Sequence, residues 1–266
     1  MFVAPDSIVR RIWGTGDTIL FIFAGAAAEF ALNKAVDWLY FTGRLPADPL
    51  GRLFSTVAYA RRIVFSDRAG AHRAIDSMAH IHAAVEAQRG QAIPDWAYRD
   101  VLFMLIDYSI RSFEVLERPL RREEREEVFE VFYRVGDRMG VQGLPTTYAD
   151  WCTARKQHLH DDLQRSRYTE DLFRQYRKHL GLGRYLLLRE AQKLVVPGRV
   201  RRMLGFRGPS FVRPLLVLYQ LGRRVRLDWL LKTLLLPPDY RQQIIALDRV
   251  PSAQAPSRHC PPDVVN

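Results

Sequence analysis

Histidine and cysteine are the side chains best suited to hold a metal or act as a nucleophile, and this chain of 266 residues has seven and two of them. Cys152 and Cys260 are too few for a disulfide framework or a four-thiolate metal site, and a reducing compartment is the default. His158-Leu-His160-Asp-Asp162 looks like a metal cluster, but helix positions two apart point in different directions. The two imidazoles therefore do not converge on one ion, and the segment reads as a solvated face. His80 and His82 share that spacing, so at most one of them points inward. His82 is in register with the apolar stripe of Ile75, Met78 and Val85, and His80 is off it. The stripe leaves two roles open for His82, a hydrogen-bonded core residue or a metal ligand. There is no phosphate-binding loop, no Gly-x-Gly-x-x-Gly after a strand and no Gly-x-Ser-x-Gly elbow, which removes the usual nucleotide and hydrolase chemistries.

The elements that must position these residues are helices. Apolar residues recur at three- and four-residue steps from end to end, and alternating strand patterns are scarce. One stripe joins Leu53, Val57, Ala60 and Val64 over residues 50–64, with Arg61 and Arg62 expected to face outward. Further helices are predicted over 69–88, 96–116, 121–139, 149–163, 169–179, 184–195, 211–222 and 226–235. Thr147 or Asp150 is placed to cap the helix after Gly143-Leu-Pro-Thr-Thr147. The run from Thr18 to Leu32 contains Glu29 and falls short of the ~20 apolar residues that a bilayer core requires, so it reads as a buried helix. No secretory signal is apparent before Trp13. The expected fold class is all-α, one large helical domain over 1–240 with a basic C-terminal helical region. A tail over 241–266 follows, and its prolines from Pro251 onward predict disorder.

Charge is unevenly placed. Residues 1–150 carry 18 Lys and Arg against 20 Asp and Glu, whereas residues 151–266 carry 22 against 9. Arginines interleaved with long apolar runs suit a membrane surface better than a phosphate groove. The expectation is a cytoplasmic protein that does not bind nucleic acid, with two roles open for Arg201, Arg202, Arg213, Arg223, Arg224 and Arg226: a solvated outer face over a leucine core, or peripheral attachment to an anionic membrane surface.

Five motifs occur in one order: Pro5-Asp-Ser-Ile-Val-Arg-Arg-Ile-Trp-Gly14, Asp48-Pro-Leu-Gly-Arg-Leu-Phe-Ser-Thr56, His82, Glu117-Arg-Pro-Leu120 and Leu144-Pro-Thr146. Together, over roughly residues 5 to 240, they resemble the rubber-oxygenase and MpaB-type oxygenase family. The resemblance implies a globin-like helical core, a bound haem b and use of dioxygen on a hydrophobic, unsaturated, isoprenoid-type small molecule. By position, His82 matches the axial iron ligand, and Arg52 and Thr56 match the haem-pocket helix. Four residues apart, Arg52 and Thr56 share a helical face, where a guanidinium can pair a haem propionate and a hydroxyl can add a hydrogen bond.

The chain departs from the family pattern at three places. Ala31-Leu32-Asn33-Lys34 stands where many relatives have an Ala-His-Pro turn, and Ser55 stands where rubber oxygenases have a lysine. A carboxylate proposed as the base falls on Val36, and Asp37 takes its place if the register slips by one. A second reading is a non-catalytic helical protein that keeps the fold and sits on a membrane or a partner.

Overall fold

Short oxygen-bearing side chains start the helices. Asp48 Oδ1 accepts from Gly51 N at 2.8 Å, Asp67 Oδ1 from Gly70 N at 2.6 Å and Thr147 Oγ1 from Asp150 N at 3.1 Å, each satisfying a backbone donor that the first turn leaves without an intrahelical acceptor. Thr147, not Asp150, is thus the cap residue. Glycine lets the Asp48 carboxylate lie against the first of these starts: a Cβ on Gly51 would sit 2.0 Å from Asp48 Oδ2, and the carboxylate would have to move.

The computed structural model describes residues 1–41, 48–214 and 216. Among the described residues the helices are α1 (Ile8–Trp13), α2 (Gly16–Phe30), α3 (Val36–Phe41), α4 (Pro49–Phe65), α5 (Arg68–Arg89), α6 (Asp95–Leu116), α7 (Arg122–Arg138), α8 (Tyr148–Asp161), α9 (Arg167–Val195) and α10 (Gly198–Met203). Extended pairing among these residues is limited to an isolated bridge between Asn33 and Leu163. The fold is all-α, as the periodicity predicts.

Helix α6 is the axis of the core. It buries residues on every side, from Ala97 through Phe103, Ile106 and Tyr108 to Phe113, and packs against α2, α7 and α8. An element buried on most of its faces has to be largely apolar, and the same holds for α2; the carboxylates these two helices bury, Asp100, Asp107 and Glu29, need partners from other side chains. The two helices approach closely because of Gly25, where a Cβ would lie 2.2 Å from Tyr108 Cδ1 and 3.0 Å from Val195 Cγ2. One apolar cluster runs from Phe2 to Phe206 and takes in α1, α2, α4 to α9 and α10. None of the described helices is long and apolar enough to cross a membrane.

Two local expectations change. Arg61 is buried at 4% exposure, its guanidinium over the Phe65 ring at 5.7 Å, and only Arg62 of the pair faces outward. The stem of an arginine covers apolar surface well, so a stripe defined by apolar residues alone is too narrow. The helices expected over 169–179 and 184–195 are both present as the two halves of α9, separated by a kink at Gly181, whose φ of 73° and ψ of 166° are non-helical. Helix α10 was not expected; Pro197 precedes it and its Val200 is fully buried. The helices expected over 211–222 and 226–235 lie outside the described residues beyond 216, as do Arg223, Arg224, Arg226 and the tail over 241–266.

Candidate functional site

Helix α5 carries His82. Its N-terminal part is sealed into the core by Ala71, Ala74 and Ile75, but from Met78 onward the same stripe is only half-buried. His82 is half-buried there with Met78 and Val85, whereas His80 is exposed, its Nδ1 2.7 Å from the Asp76 carbonyl. The Tyr98 ring of α6 meets His82 at a centroid distance of 5.2 Å and an interplanar angle of 62°. Tyr98 is itself held: its hydroxyl donates to Glu86 Oε1 at 3.1 Å, and the same oxygen accepts from Ile93 N at 2.8 Å. Burial, then the Glu86 carboxylate, push the Tyr98 phenol well above its ordinary range, so it stays a donor.

Asp37 of α3 reaches the C-terminal end of the helix that carries His82. Its Oδ2 accepts from Arg89 Nη2 at 2.7 Å, and the Arg89 guanidinium lies 3.8 Å from the Trp38 ring centroid. Thr56 is exposed on α4. Arg52 lies one turn before it on the same helix, and its side chain lies outside the described part of the structure. The sequence-derived site residues thus sit on three helices, α3, α4 and α5, and the described contacts join α3 to α5 through Asp37.

A second constellation lies inside the bundle, built from α2, α6 and α8. Glu29, fully buried in α2, accepts from Arg155 Nη2 at 2.7 Å and from the Tyr108 hydroxyl at 2.8 Å, and its Oε1 faces His158 Nε2 at 2.9 Å. Arg155 also donates to Asp107 Oδ2 at 2.9 Å, and Asp107 Oδ1 accepts from Arg111 at 2.7 Å. His158 Nδ1 lies against Asp100 Oδ1 and is 3.5 Å from Asp162 Oδ2, while Asn33 holds the other Asp100 oxygen at 2.8 Å. Two backbone bonds pin the ends of α2 and α8 around this group, Lys34 N to the Asp162 carbonyl at 2.9 Å and Gln164 N to the Leu32 carbonyl at 2.6 Å.

The electrostatics follow from burial and pairing. Burial is the largest single influence on the Glu29 carboxyl and raises it, but the Arg155 charge, the Arg155 hydrogen bonds and His158 together outweigh it and hold the group at about 2. Burial also opposes the charge on Arg155, and Glu29 and Asp107 more than offset it, so the guanidinium is held protonated more firmly than an ordinary arginine. For His158 burial favours the neutral ring, yet Asp100 and Glu29 lift it to about 9. Burial and the Asp100 charge raise Asp162. Such a network is costly to bury and is stable only when every member is paired.

Residues 10–227 match the family described as ER-bound oxygenase mpaB/B'/rubber oxygenase, catalytic domain. The chain belongs to this family. No curated protein and no solved structure matches it. Membership places the chain in an oxygenase family, and the matched span contains His82, Arg52, Thr56 and Asp37. The residues present fit a haem at His82: an imidazole on an apolar helix face that its neighbours cover only in part, beside an aromatic ring, can offer a ring nitrogen to a planar apolar ligand. In this member of the mpaB/rubber-oxygenase family several recognition motifs carry the fold. Arg118 forks onto Glu124 at 2.8 and 2.7 Å, Leu120 is buried and Leu144 packs where Gly136 has no side chain.

The buried network corrects one sequence expectation. His158 is not on a solvated face; its side chain is 2% exposed, and only His160 points to solvent. Comparing His158 with His160 tests whether those two converge and is blind to partners on other helices. Glu29, alone in an apolar run, was the available signal, because a carboxylate buried there needs a cation from elsewhere in the chain.

Proposed function

We propose that this chain is a haem b-dependent oxygenase that uses dioxygen on a hydrophobic, unsaturated small molecule of isoprenoid type. The observation that carries the reading is His82: within the family match, it is the histidine on a partly covered apolar face, and its neighbour in sequence, His80, is turned out to solvent. His82 would hold the haem iron through a ring nitrogen. When bound, the haem supplies the dioxygen and electron chemistry that side chains lack.

The chain's own residues then bind, orient and exclude water. Tyr98, fixed by Glu86, packs against the His82 ring and limits its rotation. Arg52 is assigned to pair a propionate. Thr56 is assigned to add a hydrogen bond at the same edge, and its exposure suits a carboxylate that keeps contact with water. Asp37 is assigned as the candidate base, positioned by Arg89. Met78 and Val85 give the apolar wall that a greasy substrate requires.

The test is turnover of a squalene-type isoprenoid under labelled dioxygen. The expected result is label in a carbonyl product, abolished in His82→Ala and lowered in an Asp37→Asn variant that keeps its haem. Dioxygen uptake no higher than that of His82→Ala would contradict catalysis and favour the non-catalytic reading.

A further inference from the structure

His158 is the one histidine among the described residues buried between carboxylates on both ring edges. Its Nε2 is fixed on Glu29 Oε1 at 2.9 Å. Its Nδ1 is fully buried and close to Asp100 and Asp162, yet it makes an aligned hydrogen bond to neither. A ring nitrogen that faces two carboxylate oxygens without bonding well to either is placed as a donor to something lying between the three.

We propose that Asp100, His158 and Asp162 bind one divalent transition-metal cation of the Zn²⁺ or Mn²⁺ class, at a site separate from His82. The three donor atoms, one nitrogen and two carboxylate oxygens, lie within 4.8 Å of one another. That set suits borderline divalent ions better than soft ones, which favour sulfur. The surroundings have the form that metal-bound histidines require. Glu29 accepts a hydrogen bond from the other ring nitrogen and so fixes the tautomer, and Asn33 holds one oxygen of Asp100 so that the other faces His158.

Charge gives an independent argument. Glu29, Asp100, Asp107 and Asp162 bring four carboxylates against the permanent cations Arg155 and Arg111, and a protonated His158 still leaves the group with one negative charge in excess. A divalent ion on a neutral His158 balances that sum. Binding releases the Nδ1 proton to solvent, while Nε2 keeps its own on Glu29. Access is open on one side: Asp162 stands just past the end of α8 with its side chain 25% exposed, leaving room for water to complete the coordination. The ion would join α6 to the end of α8 and, through Glu29, to α2, which makes the site structural.

The experiment strips the purified full-length protein with a chelator, removes the chelator and titrates Zn²⁺, then Mn²⁺, against a chromogenic competitor while following the melting temperature. The expected result is one ion per chain with a raised melting temperature, and affinity reduced by more than about tenfold in both Asp162→Asn and Asp162→Ala. His160→Ala, on the exposed neighbour, and His82→Ala should bind as the wild type does. The His82 variant therefore separates this site from the haem reading. No stoichiometric uptake of either ion, or uptake unchanged in the two Asp162 variants, would overturn the proposal.

Discussion

Arg155 enters the core to meet Glu29 and Asp107, and removing it would leave the buried Glu29 with no permanent cation and Asp107 with Arg111 alone. Breaking a buried pair from one side typically costs about 3–5 kcal/mol. Arg155→Met should therefore lower the unfolding free energy by that order, read from the shift of the denaturation midpoint, far more than the exposed Arg122→Met; equal midpoints would show the network to be dispensable. Arg52→Ala should weaken haem affinity by about ten- to a hundredfold, the loss of one charge-assisted contact worth about 1.5–3 kcal/mol, measured by haem transfer to an acceptor protein. Legibility at this scale depended on whether the signal was local. His82 could be separated from His80 because a helical stripe is written within ten residues of sequence. His158 could not be read, because its partners lie on α2 and α6, more than fifty residues away in sequence.

Helices were legible where caps and stripes agree. The starts expected at residues 50 and 69 fall within one residue of those the structure keeps, at Pro49 and Arg68, and the gap between the two helices expected around residue 181 corresponds to the break at Gly181. What the pattern could not supply was how close two elements come, since that depends on a residue that is absent from the contact. Gly25 is such a position. Gly25→Ala should destabilise the fold by about 1–3 kcal/mol through overpacking against Tyr108, seen as a lower denaturant midpoint with an unchanged slope. The corner between α6 and α7 makes a different prediction. Its Glu124 is held down to about 2, chiefly by the hydrogen bonds from Arg118, against an ordinary 4.5. A depressed carboxyl contributes stability above its unfolded value and loses it as the pH falls through its folded one. Thermal stability should therefore fall between about pH 4.5 and pH 2, and Glu124→Gln should flatten that limb; an identical acid limb in the variant would assign the loss to other carboxylates.

At the scale of the whole molecule, charge asymmetry was legible in the sequence but its use was not. The described part of the basic region directs some of it inward: Arg201 donates to the Lys193 carbonyl at 2.8 Å, closing the end of α9, and Arg199 donates to the His160 carbonyl at 2.8 Å. These two arginines brace helix ends and loops, so net charge alone overstates the surface available to an anionic partner. The all-α class, the buried α2 and the family were each readable from periodicity and motif order, because those properties repeat along the chain. One absorption spectrum bears on the proposed chemistry. Protein purified from haem-replete cells should show a Soret band and, by the pyridine haemochrome assay, one haem b per chain; His82→Ala should lose it and His80→Ala should keep it. A wild-type protein with no Soret band, or a His82→Ala variant with a normal one at full stoichiometry, would contradict the assignment of His82 as the iron ligand.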